Sequence, residues 1–321
     1  MSVMRFCGGL IFAAVLLEGC VFGQDSASPS PSTHTSAPAE SASRPADLKP
    51  IDLTPDATGA VPPEQIRELL LRAEAKDLEN DKRQRDYTYI ERVEQHTLDG
   101  QGGVKKIESR TLEVLEIYGE DVERLTAKDD KPLSASEAKK EDDKIQKIID
   151  KRKNESEEDR RKRLEKEEKS REEDRKFVLE IADAFNFRLV GSEVFNGRDT
   201  WVLEGEPRPG YEPKRREAKI LSKFKGRVWI DKSEAQWVKL DITAIDTIAV
   251  GFVLARIHKG THAVIELTKV NDEVWLPRHV QAFVSARLGL LKVLRIEQET
   301  SYSECRESQT LPPVVSLLKS R

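Results

Sequence analysis

The chain has 321 residues, 35% of them charged and 37% hydrophobic, with a formal net charge of -4. A slightly acidic balance gives no phosphate-neutralising surface, so nucleic acid is not an expected partner. The three cysteines, Cys7, Cys20 and Cys305, exclude a disulfide framework, because only Cys305 lies in the part expected to fold.

Residues 1–23 open with MSVMR, run apolar from Phe6 to Leu17 and close on small residues, the pattern of a secretory signal. The apolar run is too short to cross the roughly 30 Å hydrocarbon core as a helix, and no later run is long enough. The mature protein is therefore expected to be periplasmic or secreted, without a transmembrane span. Two ends of the signal stay open. "LLEGC" resembles a lipobox that would lipidate Cys20 and anchor the chain to a membrane, although Glu18 fits it poorly, while "VFG" before Gln24 suits an ordinary signal peptidase.

Residues 24–61 are rich in Ser, Pro, Ala and Thr with almost nothing to bury, as in a disordered linker. The folded domain is expected over 62–312, followed by a tail at 313–321. Pro62 and Pro63 predict a helix start. Ile66, Leu69, Leu70 and Ala73 then recur at helical spacing, so this helix carries one apolar stripe that must lie against something. The segment from Tyr87 to Leu133 predicts three strands, turned at "LDGQGG" and "YGED". Tyr87, Tyr89 and Val93 alternate there with charged residues, as in a sheet wet on one face.

The charge is concentrated in an arm over 134–185. Ser134 with Glu137 spells a capping box. Acid-first pairs four apart, such as Asp143 with Lys147 and Glu165 with Lys169, support a helix in water. A coiled coil needs sustained apolar heptads, yet Leu164 is the only sizeable apolar residue between Ile149 and Phe177. The arm is expected to be a solvated helix joining two parts of the sheet, broken near Asn154, with Val178, Ile181 and Phe185 docking its end on the core. Its competing role is a surface for another envelope protein.

From Phe187 onward, strand-like runs are parted by "FNGRD", "KSEAQ", "HKGTH" and "NDE", and such short turns make antiparallel neighbours. In "GRVWIDKSEAQWVKLDI", Val228 and Ile230 share one face, and Val238, Leu240 and Ile242 share one face of the next strand. Val280, Ala282, Val284, Ala286 and Leu288 repeat the alternation. A long sheet with one continuous apolar face needs a cover, and the Ile66 helix and the Phe185 end of the arm are the candidates. Incomplete cover leaves an apolar groove; complete cover leaves a barrel filled by its own side chains.

No nucleophile elbow, zinc-protease motif or phosphate loop occurs, so no catalytic residue and no cofactor is assigned, and the protein is expected not to be an enzyme. His258 and His262 flank "KGT" with Glu266 farther along, but a metal site needs three or four ligands in fixed geometry, and none is assigned. Cys305 reads as a spare, partly buried thiol. Trp201, Trp229, Trp237 and Trp275 either line a pocket or pack within the sheet.

The order of helix, strands, helix, then "GRVWID", "QWVKLDI" and "EVWLPRHV" resembles the outer-membrane lipoprotein-sorting (LolA/LolB-like) superfamily over roughly Pro63 to Glu304. That resemblance implies an α+β fold: an unclosed antiparallel β-barrel, a half-barrel whose concave apolar face is plugged by helices. It also implies a cavity for the acyl chains of a lipoprotein or similar amphiphile, and structural rather than catalytic roles for Trp229 and Asp231. The charged arm and the Ser/Pro linker depart from the characterised carriers. The expected ligand is a lipid or acylated protein, and the groove candidates are Trp201, Trp229, Val238, Leu240, Ile242 and Val284.

Overall fold

A computed structural model describes Ile51, Leu53 and residues 61–118, 120–215, 217–250, 255–289 and 292–308. The leader, Cys20, nearly all of the linker and the tail at 313–321 lie outside the described residues. The elements in chain order are α1 (Pro63–Gln84), β1 (Tyr87–Leu98), β2 (Val104–Ile117), β3 (Glu120–Lys128), β4 (Lys131–Pro132), α2 (Ala135–Lys153), α3 (Glu157–Ala184), β5 (Phe185–Phe195) and β6 (Arg198–Pro207). A short 3-10 helix, Glu217–Lys223, leads into β7 (Phe224–Asp231), β8 (Trp237–Ala244), β9 (Ile248–Val250), β10 (Ala255–Ile257), β11 (His262–Val270), β12 (Val274–Leu288) and β13 (Lys292–Glu307).

These strands form one sheet in the order β4-β3-β2-β1-β13-β12-β11-β8-β7-β6-β5, with β9 and β10 prolonging the β8–β11 hairpin alongside β12. Every pairing is antiparallel. The expected α+β unclosed sheet is what the chain builds. Its two halves are zipped together by the first and last strands, β1 and β13, from Thr97 opposite Ile296 to Tyr87 opposite Glu307. A closed barrel would pair β4 with β5. Here that seam stays open, and the chain crosses it through α2 and α3.

Local chemistry explains the seam. Strand β4 is only Lys131–Pro132, and a lysine beside a residue with no amide hydrogen makes a poor template for a further strand. The arm then starts at the expected capping box: Ser134 Oγ accepts from the Glu137 amide at 3.3 Å, and the Glu137 carboxylate accepts from the Ser134 amide at 3.2 Å. Ile145 and Ile149 of α2 pack on Leu115, Ile117 and Val122, while Val114, the residue before Leu115, belongs to a cluster on the other side. By strand alternation α2 therefore lies on the outer face of β2 and β3. Asn154 ends α2, and Ser156 starts α3 by accepting from the Asp159 amide at 3.1 Å.

At a rise of about 1.5 Å per residue, α3 is about 42 Å long, enough to carry the chain from one edge of the sheet to the other. Its middle turns pair charge with charge, as in Lys162–Glu158 at 2.7 Å and Arg161–Glu165 at 3.8 Å, and Leu164 is 43% exposed. Such exposed pairs contribute little each to stability. The last turns dock: Phe177 and Ile181 pack with Ala184, Phe185, Ala218 and Leu221. Glu180 is buried and accepts from the Tyr211 hydroxyl at 2.8 Å and the Lys214 amide at 2.6 Å. The helix stops one residue earlier than the apolar stripe implies, because Phe185 is already extended (φ -116°, ψ 149°) and opens β5.

Strand β7 ends in a rigid turn. Asp231 accepts through one oxygen from the Ser233 amide (2.9 Å), the Ser233 hydroxyl (2.6 Å) and the Glu234 amide (2.8 Å), and through the other from Arg198 Nε (2.6 Å). Burial opposes its ionisation, but the Arg198 and turn hydrogen bonds outweigh it and hold the carboxyl below its ordinary range. Asp231→Ala strands these buried donors, so it is expected to cost about 2–3 kcal/mol in urea unfolding. An unchanged midpoint would deny the turn this role.

Candidate functional site: the apolar inner face

Ile66, Leu69 and Ala73 of α1 pack on Leu203 of β6 and Ile230 of β7, which defines the inner face of the sheet. Along that face, cross-strand partners follow one another in register: Leu203 with Val228, Val228 with Leu240, Leu240 with Ile265, Ile265 with Val280, and Val280 with Thr300. The apolar surface thus runs without interruption from under the helix to β12.

The helix does not follow it all the way. Beside this row lies a second cluster, Ala263, Ala282, Val284 and Ala286 with Ile242, which contains no residue of a described helix. Three of its members are alanines on strands, where larger β-branched residues are the usual choice. These small side chains rise less far above the sheet than larger ones would, and the four strand residues Ala263, Ala282, Val284 and Ala286 are all buried. The flank of this stretch is a cluster of Tyr89, Val114, Ile265, Val280 and Tyr302, the two tyrosine rings lying 5.7 Å apart in an edge-to-face arrangement.

One acid enters this apolar flank. Glu91 stands opposite Leu112 on one side and Tyr302 on the other. Burial first, and then the charge of Glu123, raise its pKa to about 7, with Arg110 acting in opposition. Composition hid this residue, since glutamate on an amphipathic strand reads as solvent-facing. Its parity with Tyr89 and Val93 was the available signal.

The position of α1 is fixed by polar clamps. Beyond His279, β12 has no pairing to β13, and α1 takes the vacated place: Asn80 Nδ2 donates to the Trp275 carbonyl at 2.8 Å, and Asn80 Oδ1 accepts from the Trp275 amide at 2.7 Å. Gln84 Nε2 donates to the same carbonyl at 2.6 Å. One turn earlier, Trp237 Nε1 donates to Asp77 at 2.8 Å. Burial raises the Asp77 pKa to about 6, although the Trp237 and Gln236 hydrogen bonds favour its charged form.

Of the sequence-predicted groove residues, Trp201, Leu240, Ile242 and Val284 lie on this inner face; Trp201 packs beside α1, with Lys232 Nζ 4.2 Å from its ring centroid. Trp229 does not: it stands opposite Val202 and Lys239 on the outer face, donates from Nε1 to Glu193 at 2.8 Å, and has Lys239 Nζ 5.2 Å from its ring centroid. Val238 packs in the cluster of Val202, Trp229, Leu267 and Trp275 rather than with Leu240 and Ile242, because the β7–β8 register shifts at this point and a bulge leaves Val238 without a cross-strand partner. Trp229 and Val238 are therefore placed apart from the alanine cluster.

Of the polar candidates, His258 keeps a buried Nε2 without a hydrogen-bond partner among the described residues, while the other two are paired. His262 pairs with Asp241 at 2.8 Å and Glu266 with Lys239 at 3.0 Å. Among the described residues no group of three or more His, Cys, Asp or Glu is arranged to hold a metal ion. Cys305 is half-buried against the clusters around Tyr89 and Tyr87, and burial raises its thiol pKa.

Neither a known protein family nor a curated protein matches this sequence. Among solved structures, the chain is similar to a DUF1329 family protein from Desulfovibrio piger at 11% identity, covering 79% of this chain and 96% of that one, with a TM-score of 0.28. A domain assigned as outer membrane lipoprotein-sorting from Vibrio parahaemolyticus shares 14% identity over 76% and 95% of the two chains, TM-score 0.31. A LolA superfamily protein from Nitrosomonas europaea shares 9% over 77% and 94%, TM-score 0.27. These neighbours include the superfamily that the "GRVWID" region resembles. Likeness at this level carries no argument about ligand or activity.

The Asp77 clamp has a defined pH signature. Its folded pKa, about 6, lies above the ordinary value of 3.8, so its contribution to stability is complete below that ordinary value and declines as pH rises through 6. Asp77→Asn removes the titration. Relative to the parent chain, this variant should gain roughly 2–3 kcal/mol between about pH 4 and pH 7.5 in urea unfolding. A pH-independent difference would show that Asp77 is not buried against Trp237.

Proposed function

We propose that this is an exported, non-catalytic bacterial envelope protein that holds the acyl chain of a lipid or lipoprotein in the alanine-floored trough of its inner face. The observation that carries the reading is the mismatch between the long apolar face and the helix on it: α1 packs on β6 and β7, while Ala263, Ala282 and Ala286 form an apolar floor farther along. Binding would come from apolar burial, about 0.8 kcal/mol per methylene, which selects for chain length and little else. Glu91, with its pKa near 7, gives the flank a carboxyl that is readily neutralised next to an apolar ligand.

The arm supports the same reading as a strap. Its charges are largely paired along their own helix, as in Lys162–Glu158 and Lys176–Glu172, both at 2.7 Å, and its anchored ends lie at opposite edges of the sheet. Keeping β4 from β5 keeps the half-barrel from closing on itself.

The test is native mass spectrometry of residues 24–321, exported to a bacterial periplasm and purified without detergent, with Ala282→Phe as the comparison. The parent is expected to carry an added mass matching a lipid or acylated peptide, lost in organic solvent. The variant fills the trough and should lower its occupancy about tenfold, equivalent to about 1.4 kcal/mol. A clean apo mass in the parent, or equal occupancy in a folded variant, would contradict the reading.

A further inference from the structure

Three hairpins end side by side at one end of the sheet. Leu98 pairs with Val104 at the close of β1–β2, Leu288 with Lys292 at the close of β12–β13, and Val250 with Ala255 at the close of β9–β10. Ala255 is in turn paired with Leu288, and Arg295 Nη1 donates to the carbonyls of Asp99 (3.2 Å) and Gly100 (2.6 Å), which binds the first two hairpin ends together. Residues 251–254, between β9 and β10, and 290–291, between β12 and β13, lie outside the described residues.

This end is apolar and basic at once. Val104, Ile107 and Val293 are 53%, 57% and 59% exposed, among the most exposed large aliphatic residues described. Around them stand Lys105, Lys106, Arg256, Arg287, Lys292 and Arg295. Of the acids near this end, Asp99 accepts from the Gln101 and Gly103 amides at 2.8 Å each, Glu108 pairs with Lys106 at 2.8 Å, and Glu297 lies in the row of Ile107, with His96 between them. In a protein of net charge -4 the local excess of cations is against the trend.

One pairing is unfavourable unless an anion is present. Arg256 of β10 stands directly opposite Arg287 of β12, both exposed, and like charges directly opposite each other destabilise a sheet. Arg287 is also opposite the exposed Val293. Guanidinium pairs beside projecting aliphatic side chains match an interface where phosphates lie a few ångströms above hydrocarbon.

We propose that this end of the sheet docks on an anionic lipid bilayer, Val104, Ile107 and Val293 entering the headgroup boundary while Arg256, Arg287 and their neighbours meet lipid phosphates. Docking here places the membrane at the Ala286 end of the trough, since Ala286 pairs with both Ile257 and Leu294. The docking surface stands on its own residues; only its use in delivering or collecting an acyl chain rests on the trough reading.

The experiment is sedimentation of the mature chain with phosphatidylglycerol–phosphatidylcholine vesicles and with pure phosphatidylcholine vesicles, at low and high salt. Binding is expected to the anionic vesicles only, weakened by salt. Each basic residue is worth about a factor of five at a charged surface, so Arg256→Glu with Arg287→Glu should reduce it at least about tenfold. Ile107→Ser with Val293→Ser should also weaken it. Ala282→Phe, which blocks the trough and leaves this end intact, is expected to dock as the parent does. Equal binding to neutral vesicles, no binding to either, retention by the charge-reversed variant or loss on Ala282→Phe would each overturn the proposal. Capture of an acidic protein by the same arginines with no vesicle binding would do so as well.

Discussion

Asn80 satisfies both backbone groups of Trp275, and much of the architecture depends on that contact. A strand leaving its neighbour exposes amides and carbonyls that must find partners when buried. Strand β12 parts from β13 at this point, and the carboxamides of Asn80 and Gln84 replace the missing strand. The helix is thereby fixed in position and rotation. Asp77 then meets Trp237, Ile66 and Leu69 meet Leu203 and Ile230, and the apolar face beyond them keeps its alanine floor.

The second constraint is topological. The first and last described strands, β1 and β13, pair in the middle of the sheet, and among the described strands the order is left open between β4 and β5. The charged arm occupies the chain segment between those two strands. Its first helix is held to the outer face by Ile145 and Ile149, and its last turns are held at β5 by Phe177, Ile181 and Glu180. Sequence that looks excessive for a binding domain therefore has a mechanical explanation: a polar strap with two apolar ends, spanning a seam that must not zip.

Much of this was legible in the residues. Alternation placed Leu240, Ile242 and Val284 on one face, and the capping box at Ser134 located the arm's start, because both signals depend on local periodicity alone. The misplacements share a cause. Val238 shares its parity with Leu240 but follows a bulge, and a one-residue shift in pairing is invisible to a count of two. Trp229 drew attention as an aromatic in a motif, yet its alternation with Val228 and Ile230 already put it on the other face. Asn80, within "LENDKRQ", looks like one more solvated helix residue; its role exists only because a strand some 195 positions away lacks a partner. Glu91 was hidden by its charge, and the outer location of α2 by the fact that helical spacing names a stripe without naming the face it meets.

The proposed acyl chain lies along Ile242, Ala263, Ala282 and Val284. Photolabelling tests this placement most directly: the mature chain is loaded with a diazirine-bearing fatty acid, irradiated, digested and mapped by mass spectrometry. Adducts are expected to concentrate on β8, β11 and β12 at those positions and on the tyrosine flank at Tyr89 and Tyr302. Adducts centred on Trp229 and the outer face, or spread along the arm with the trough unlabelled, would contradict it.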